Sequence, residues 1–348
     1  MSCISGTNFL CPINVQQCQG LQKAGLSLGV TSSASTSQIA RLASMAEHTP
    51  FGGIWVGEDI GRIGDVFVQA SVASLNAPTK KIGIGITSPL VRNISTIARA
   101  AAALRELDPT MFRLGLGVGG LHDLQKLGIR LRNPASTLTD ATQALREIWA
   151  GKVLTFKAQS LVLDRFQARY QPESNIPIYL GVRGPRLLQL AGRIADGVIL
   201  SGPLPYLEEV VSIIRNELTR HGRARNFSIV IWLPTLIVHN IRDQELAKLV
   251  AATVIADAPK AVIDMADISD LAIEHVQTAA KNGGYQAAAK LVSAELLDIF
   301  TVSGNADHIV DVFESLAKLG ADEVVFGPPY GSSIDNSINE VVEAWGRS

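Results

Sequence analysis

"IPIYLGVRGPRLLQLAGRIADGVIL", residues 176–200, decides the fold. Two short apolar runs, 176–182 and 196–200, flank a segment at 185–194 whose leucines recur at helical spacing. Two strands separated by a single helix form a βαβ unit, in which the strands run parallel. Gly181 and Gly184 then belong to the strand-to-helix turn, and Pro185 suits the first turn of the helix, where its missing N–H costs nothing.

The same rhythm extends in both directions. Upstream, "AGLSLGV" (24–30), "GGIWV" (52–56), "KIGIGIT" (81–87) and "MFRLGLG" (111–117) read as strands. Helical patterns follow them at 36–48, with Thr36 or Ser37 near the N-cap, and at 63–76, 95–107 and 137–150. Downstream come a helix at 205–221, the run "FSIVIWLPTLIV" (227–238), a helix at 305–319, "DEVVFGPP" (322–329) and a terminal helix at 335–346. Eight strands alternating with helices predict an α/β fold of the (β/α)₈ TIM-barrel class rather than an open doubly wound sheet. "KVLTFKAQSLVLDRF" alternates like a small hairpin and interrupts the rhythm. The segment 240–300 holds about three helical patterns and is too long for a plain connection; it reads as a helical insertion over part of the barrel mouth. Residues 23–348 are expected to form one barrel domain, with 1–22 a polar tail or arm laid on the body.

Composition bounds the partners. Lys and Arg total 31 against 32 Asp and Glu, a net charge of -1, so no global field recruits nucleic acid or an anionic membrane. Any anion site must be local. The lack of a long uninterrupted apolar stretch and of a basic leader gives an expected cytoplasmic location. Cys3, Cys11 and Cys18 share no CxxC or Cys/His spacing, and the histidines form no ligand pair, so no metal site is expected.

In a barrel, chemistry gathers at the C-terminal ends of the strands. At 181–185 a helix N-terminus presents unpaired N–H groups, glycines let an anion approach the backbone, and Arg183 or Arg186 could neutralise it. A phosphate site and a simple tight turn with solvated arginines are both compatible with that pattern. In "GIGITSP" (83–89) the alternating glycines suit either a planar ring lying on Gly85 and Ile86 or close packing against a neighbouring strand. "LGLGVGGLHD" (114–123) lacks the spacing and the following acid of a dinucleotide fingerprint. Glu58 and Asp59 follow the second strand directly, where one could serve as a proton donor or both could merely solvate a loop. His122 and Asp123 lie in the loop after strand four as further candidate contacts.

Together these junctions resemble the bacterial luciferase-like superfamily, and within it the deazaflavin-dependent methylenetetrahydromethanopterin reductases. "KKIGIGITSP", "RLGLGVG", the quoted 176–200 block and "ELLDIFTVSGNADHIVDVFESLAKLGADEVVFGPPYG" (295–331) carry the resemblance, which spans about 23–346. It implies coenzyme F-420, with FMN as the alternative, bound by Gly85, Ile86, Thr87, Gly117, Gly119, Gly181, Val182, Arg183, Gly184 and Pro185. A cis peptide at Gly85–Ile86 is implied, as are a pterin-like small-molecule substrate and a homodimer or larger oligomer; by their place at the end of strand two, Glu58 or Asp59 is the expected catalytic proton donor. The sequence departs from the family at four places: Ser27 stands where a glutamate is expected on strand one, Glu58 and Asp59 replace Asp-His, Gly120 replaces an Asp, and Arg183 replaces a Gln. These departures keep two alternatives in view, an F-420- or FMN-dependent oxidoreductase or monooxygenase on another substrate and a coenzyme-binding paralogue without catalysis. The helices at 63–76 and 95–107 are apolar beyond one buried stripe, which suits an interface.

Overall fold

The computed structural model describes residues 24–61, 64–108, 112–158, 161–169 and 175–348. The proposed arm at 1–22, with Cys3, Cys11 and Cys18, lies outside the described residues. Eight parallel strands close into a barrel: β1 (Gly25–Thr31), β2 (Gly53–Gly57), β3 (Lys81–Thr87), β4 (Arg113–Leu116), β5 (Ile178–Gly181), β6 (Gly197–Leu200), β7 (Ser228–Ile237) and β8 (Glu323–Tyr330). Each pairs with its successor in sequence, and β8 returns to β1, so no edge among the eight is left open.

The surrounding helices are α1 (Thr36–Glu47), α2 (Val66–Asn76), α3 (Ile94–Leu107), α4 (Pro134–Trp149), α5 (Pro185–Ile194), α6 (Leu204–Arg220), α7 (Ala306–Leu319) and α8 (Ile334–Arg347). Caps fix several starts. Asp65 accepts from the N–H groups of Phe67 and Val68 to begin α2, and Asn133 caps α4 ahead of Pro134. The cap of α1 is Ser35, accepting from the Gln38 N–H at 3.2 Å, one or two residues before the expected Thr36 or Ser37. Its extended backbone (φ -66°, ψ 153°) frees the hydroxyl to turn onto the first turn.

Between β7 and α7 the insertion forms four helices rather than about three: Ile241–Ala256, Lys260–Met265, Asp270–Ala289 and Ala294–Phe300. Ile255, Ile273, Val276 and Phe300 help give it a small apolar core of its own. A short strand that the pattern did not foretell, Val302–Gly304, pairs in parallel with Thr235, Leu236 and Ile237 on β7. The hairpin is present as the antiparallel strands Leu154–Ala158 and Leu161–Phe166.

The barrel interior is filled in layers. At the N-terminal end, Arg113 bonds both oxygens of Glu323, which also accepts from Trp55 Nε1 at 2.7 Å and from Ser27. Above them Trp55 meets Tyr179 edge-on, with 5.5 Å between ring centroids, and Arg113 lies 4.1 Å from the Trp55 ring centre. A Cβ at Gly83 would overlap Trp55, so this strand glycine serves the packing of the barrel. Nearest the mouth are Trp232, Ile86 and Ile199.

Candidate functional site

All eight strands contribute to a cavity of about 910 Å³ at their C-terminal ends. Thr31 comes from β1, Glu58 follows β2, Gly85 and Ile86 lie on β3, and Val118 and Gly119 follow β4. Gly181, Val182 and Arg183 come from the end of β5, Ile199 and Ser201 from β6, Trp232 and Pro234 from β7, and Pro328 from β8. Ala256, Asp257, Ala258 and Pro259, at the first turn of the insertion, form part of the wall, so the insertion covers one side of the mouth as expected.

The peptide Gly85–Ile86 is cis, as the resemblance implies. The Ile86 side chain turns across the barrel toward β4 and β5. A Cβ at Gly117 would stand 2.8 Å from Ile86 Cδ1, and one at Gly181 2.6 Å from Ile86 Cγ2. These two glycines therefore make room for Ile86, and of the pair only Gly181 reaches the cavity.

The loop after β5 holds Arg183 more than a third exposed, with Asp257 close enough to act on its charge. Surrounding protein lowers the Arg183 pKa and Tyr206 and Asp257 oppose that; an accessible guanidinium stays protonated in any case. Gly184 has φ 82°, and nothing lies within 4 Å of where its Cβ would be. Its N–H donates to Tyr206 Oη at 3.1 Å, so this donor is already used. Burial pushes the Tyr206 phenol pKa up, which keeps it protonated in that place. Pro185 opens α5, leaving the N–H groups of Arg186 and Leu187 in the first turn without partners inside the helix.

Glu58 and Asp59 part company. Glu58 lies in the cavity wall, its side chain 6% exposed. Oε2 accepts from Thr87 Oγ1 at 2.7 Å, and Oε1 from Arg92 Nε at 2.8 Å and also from Nη2. Arg92 reaches on to Asp65 at 2.7 Å. Burial works to lower the Arg92 pKa, but hydrogen bonds and charge from Glu58 and Asp65 outweigh it and raise the value. With both oxygens engaged as acceptors, Glu58 suits orienting rather than proton donation. Asp59 is outside the cavity wall; its carboxylate accepts from the Gly61 N–H at 3.1 Å and its N–H donates to Ser32. Thr87 is buried behind the wall and acts through Glu58.

Ser27, aligned by resemblance with a substrate-side glutamate, is buried in the layer with Glu323 at the far end of the barrel and does not reach the cavity. Asp123 does line it, on the short helix Leu121–Lys126; the side chain of His122 lies outside the described residues. Sequence reasoning missed Arg92, Asp257, Tyr206 and Trp232. Only Trp232 left a signal, as the single aromatic in the middle of an apolar strand.

The sequence profile described as luciferase-like monooxygenase matches residues 17–323. A 5,10-methylenetetrahydromethanopterin reductase of Archaeoglobus fulgidus is 28% identical over 301 residues, 84% of this chain and 90% of the relative. Among solved structures, a coenzyme F-420-dependent tetrahydromethanopterin reductase from Methanopyrus kandleri superposes with a TM-score of 0.82 at 22% identity, covering 93% of this chain and 98% of the other. An F-420-dependent secondary alcohol dehydrogenase bound to an F-420–acetone adduct gives a TM-score of 0.75 at 17% identity, over 93% and 98%. These two likenesses establish the shared barrel. Among the described residues, no helix is long and apolar enough to cross a membrane.

Proposed function

Since the chain belongs to the luciferase-like monooxygenase family, we propose that it is a coenzyme F-420-dependent oxidoreductase passing a hydride between the deazaflavin and a pterin-bound one-carbon unit. The observation that carries this reading is the meeting, around one cavity, of the glycine-arginine turn before α5 and the Gly85–Ile86 peptide.

The residues present fit the coenzyme. An anionic group would find an open cradle at Gly184, two free N–H groups in the first turn of α5, the positive end of that helix, and the Arg183 cation. The apolar wall of Ile86, Val118, Val182 and Ile199 would exclude water from a flat ring lying on Gly85 and Ile86. When bound, the coenzyme supplies the hydride chemistry. Glu58, fixed by Arg92 and Thr87, offers an oriented acceptor beside that ring, and Asp123 and Asp257 are the other carboxyl groups of the wall. Asp59 has no part in this arrangement.

A homodimer through α2 belongs to the same reading. Val68 and Leu75 are 55% and 66% exposed, two turns apart on one face of that helix. The cytoplasm, where a diffusible reduced coenzyme can be regenerated, is the proposed location.

The test is an anaerobic titration with reduced F-420 followed by absorbance, with methylenetetrahydromethanopterin added last. Binding, then oxidation only after the pterin is added, is the expected result. Binding of FMN alone, or coenzyme oxidation indifferent to the pterin, overturns the reading.

A further inference from the structure

Trp232 has an unusual seat. A Cβ at Gly327 on β8 would overlap its Nε1, and one at Gly29 on β1 would stand 2.7 Å from Cε2 and Cζ2. One at Gly57 on β2 would be 3.3 Å from Cη2, and one at Gly85 on β3 3.0 Å from Cζ3. Nε1, Cε2, Cζ2, Cη2 and Cζ3 are bonded in that order around the indole rim, and β8, β1, β2 and β3 are neighbours in that order around the barrel. The ring therefore lies across the barrel, edge-on to four strands. One face rests on the layer containing Trp55 and Val325, and the other belongs to the cavity.

We propose that the cavity face of Trp232 is the stacking platform for the conjugated ring of the substrate, a flat heterocycle, beside the coenzyme. The assignment deepens the proposed function and rests on it for one point, the seat of the coenzyme along 181–185 and Gly85. That seat spans the β3-to-β5 side, where the Ile86 side chain fills the space over Gly117 and Gly181. The indole floors the opposite quarter, under Gly57, Thr31 and Pro328. The hydride partner must sit against the coenzyme ring, and this quarter is the adjoining part of the cavity. The indole rim has little lateral play, because a Cβ at any of the four glycines would stand within 3.3 Å of it. Base-sized rings stack on such an immobile aromatic face with an energy that is large on the scale of a substrate affinity. The platform thus selects planar conjugated substrates over small aliphatic ones.

The test uses the full chain without coenzyme and methylenetetrahydromethanopterin as the probe. The protein has four tryptophans; Trp55, Trp149 and Trp345 are buried and do not line the cavity, so Trp232 is the one a cavity ligand touches. The pterin quenches tryptophan emission in the wild type, and Trp232→Leu removes the larger part of that quench. Trp232→Leu also raises the pterin KM on the order of tenfold or more while leaving the F-420 Kd within about twofold. Trp232→Phe, which keeps a smaller flat ring, gives an intermediate KM and serves in place of the leucine variant if that one does not fold. An unchanged quench or KM in the variants, no quench in the wild type, or an equal loss of coenzyme affinity overturns the platform. Failure of the wild type to bind F-420 would instead sink the functional reading, and the pterin quench alone would then decide the role of Trp232.

Discussion

Arg92 and Glu58 form a nearly enclosed ion pair at the rim of the cavity, with Nε donating to Oε1 at 2.8 Å and the side chains 19% and 6% exposed. The same guanidinium holds Asp65, the cap of α2, so one side chain ties the β2 exit to the start of the next helix. Removing one member of a buried pair leaves its partner's charge uncompensated. Arg92→Met is therefore expected to lower kcat/KM by at least about tenfold and to reduce the melting temperature by several degrees. Arg92→Lys recovers only part of both, because an ammonium cannot reproduce the fork to Glu58 and Asp65. Steady-state kinetics and thermal melts on the two variants check this.

In the proposed function Arg183 and Gly184 serve coenzyme affinity. Arg183→Ala is expected to raise the F-420 Kd by roughly tenfold, and wild-type affinity should fall with ionic strength more steeply than that of the variant. Gly184→Ala strains a positive-φ, extended-ψ position (φ 82°, ψ 150°) that is essentially reserved for glycine, by about 1–3 kcal/mol, and narrows the cradle, so it weakens binding as well. Absorbance titrations at two salt concentrations separate charge from shape.

Stability is expected to fall in acid. Burial raises the Glu323 pKa, but the charge and hydrogen bonds of Arg113, with those of Ser27 and Trp55, more than reverse this and leave it lowered. Asp243 is lowered in the same sense: burial raises it, and the N–H groups of His239 and Ser332 and the Ser332 hydroxyl prevail. A carboxyl group depressed on folding contributes stability that is present above its unfolded value, about 4, and lost as pH falls through the lower folded value. Urea midpoints measured from pH 7 to pH 3 should therefore decline in the acid range. Glu323→Gln should flatten part of that slope while lowering stability at pH 7 by about 3–5 kcal/mol, since it leaves Arg113 buried and unpaired.

Leu75→Glu, alone or with Val68→Glu, should convert the proposed dimer to a monomer with the barrel intact. Sedimentation velocity reads the mass, and far-UV circular dichroism the fold.

The barrel was legible because its strands and helices alternate with different hydrophobic periods, which a single sequence displays. The site was legible in part, and the misses have specific causes. Glu58 and Asp59 are adjacent at a strand end, where successive side chains point to opposite sides, so only the register tells which one faces the cavity. Ser27 shares the interior face of β1 with Gly29 and Thr31 but lies at the opposite end from the mouth, and alignment to a motif does not report depth. The partners of Trp232 come from β1, β2, β3 and β8. Each glycine alone looks like ordinary strand punctuation, and only closure of the barrel brings them onto one ring. Arg92 and Asp257 sit in segments without local pattern, and their reach into the site depends on the paths of loops.

The insertion leaves the barrel after β7 and returns beside it: the Val238 N–H donates to the Gly304 oxygen at 2.9 Å, and Val302–Gly304 runs along Thr235–Ile237. Its two ends are thus joined at the base like the halves of a clasp, and most of its buried apolar residues form a core of their own, with Val262 and Ala266 packing into that of the barrel. Such an attachment lets the insertion's outer helices vary in sequence without disturbing closure of the barrel. Changes in those helices alter the cavity wall at 256–259 while the closed strands below keep their register.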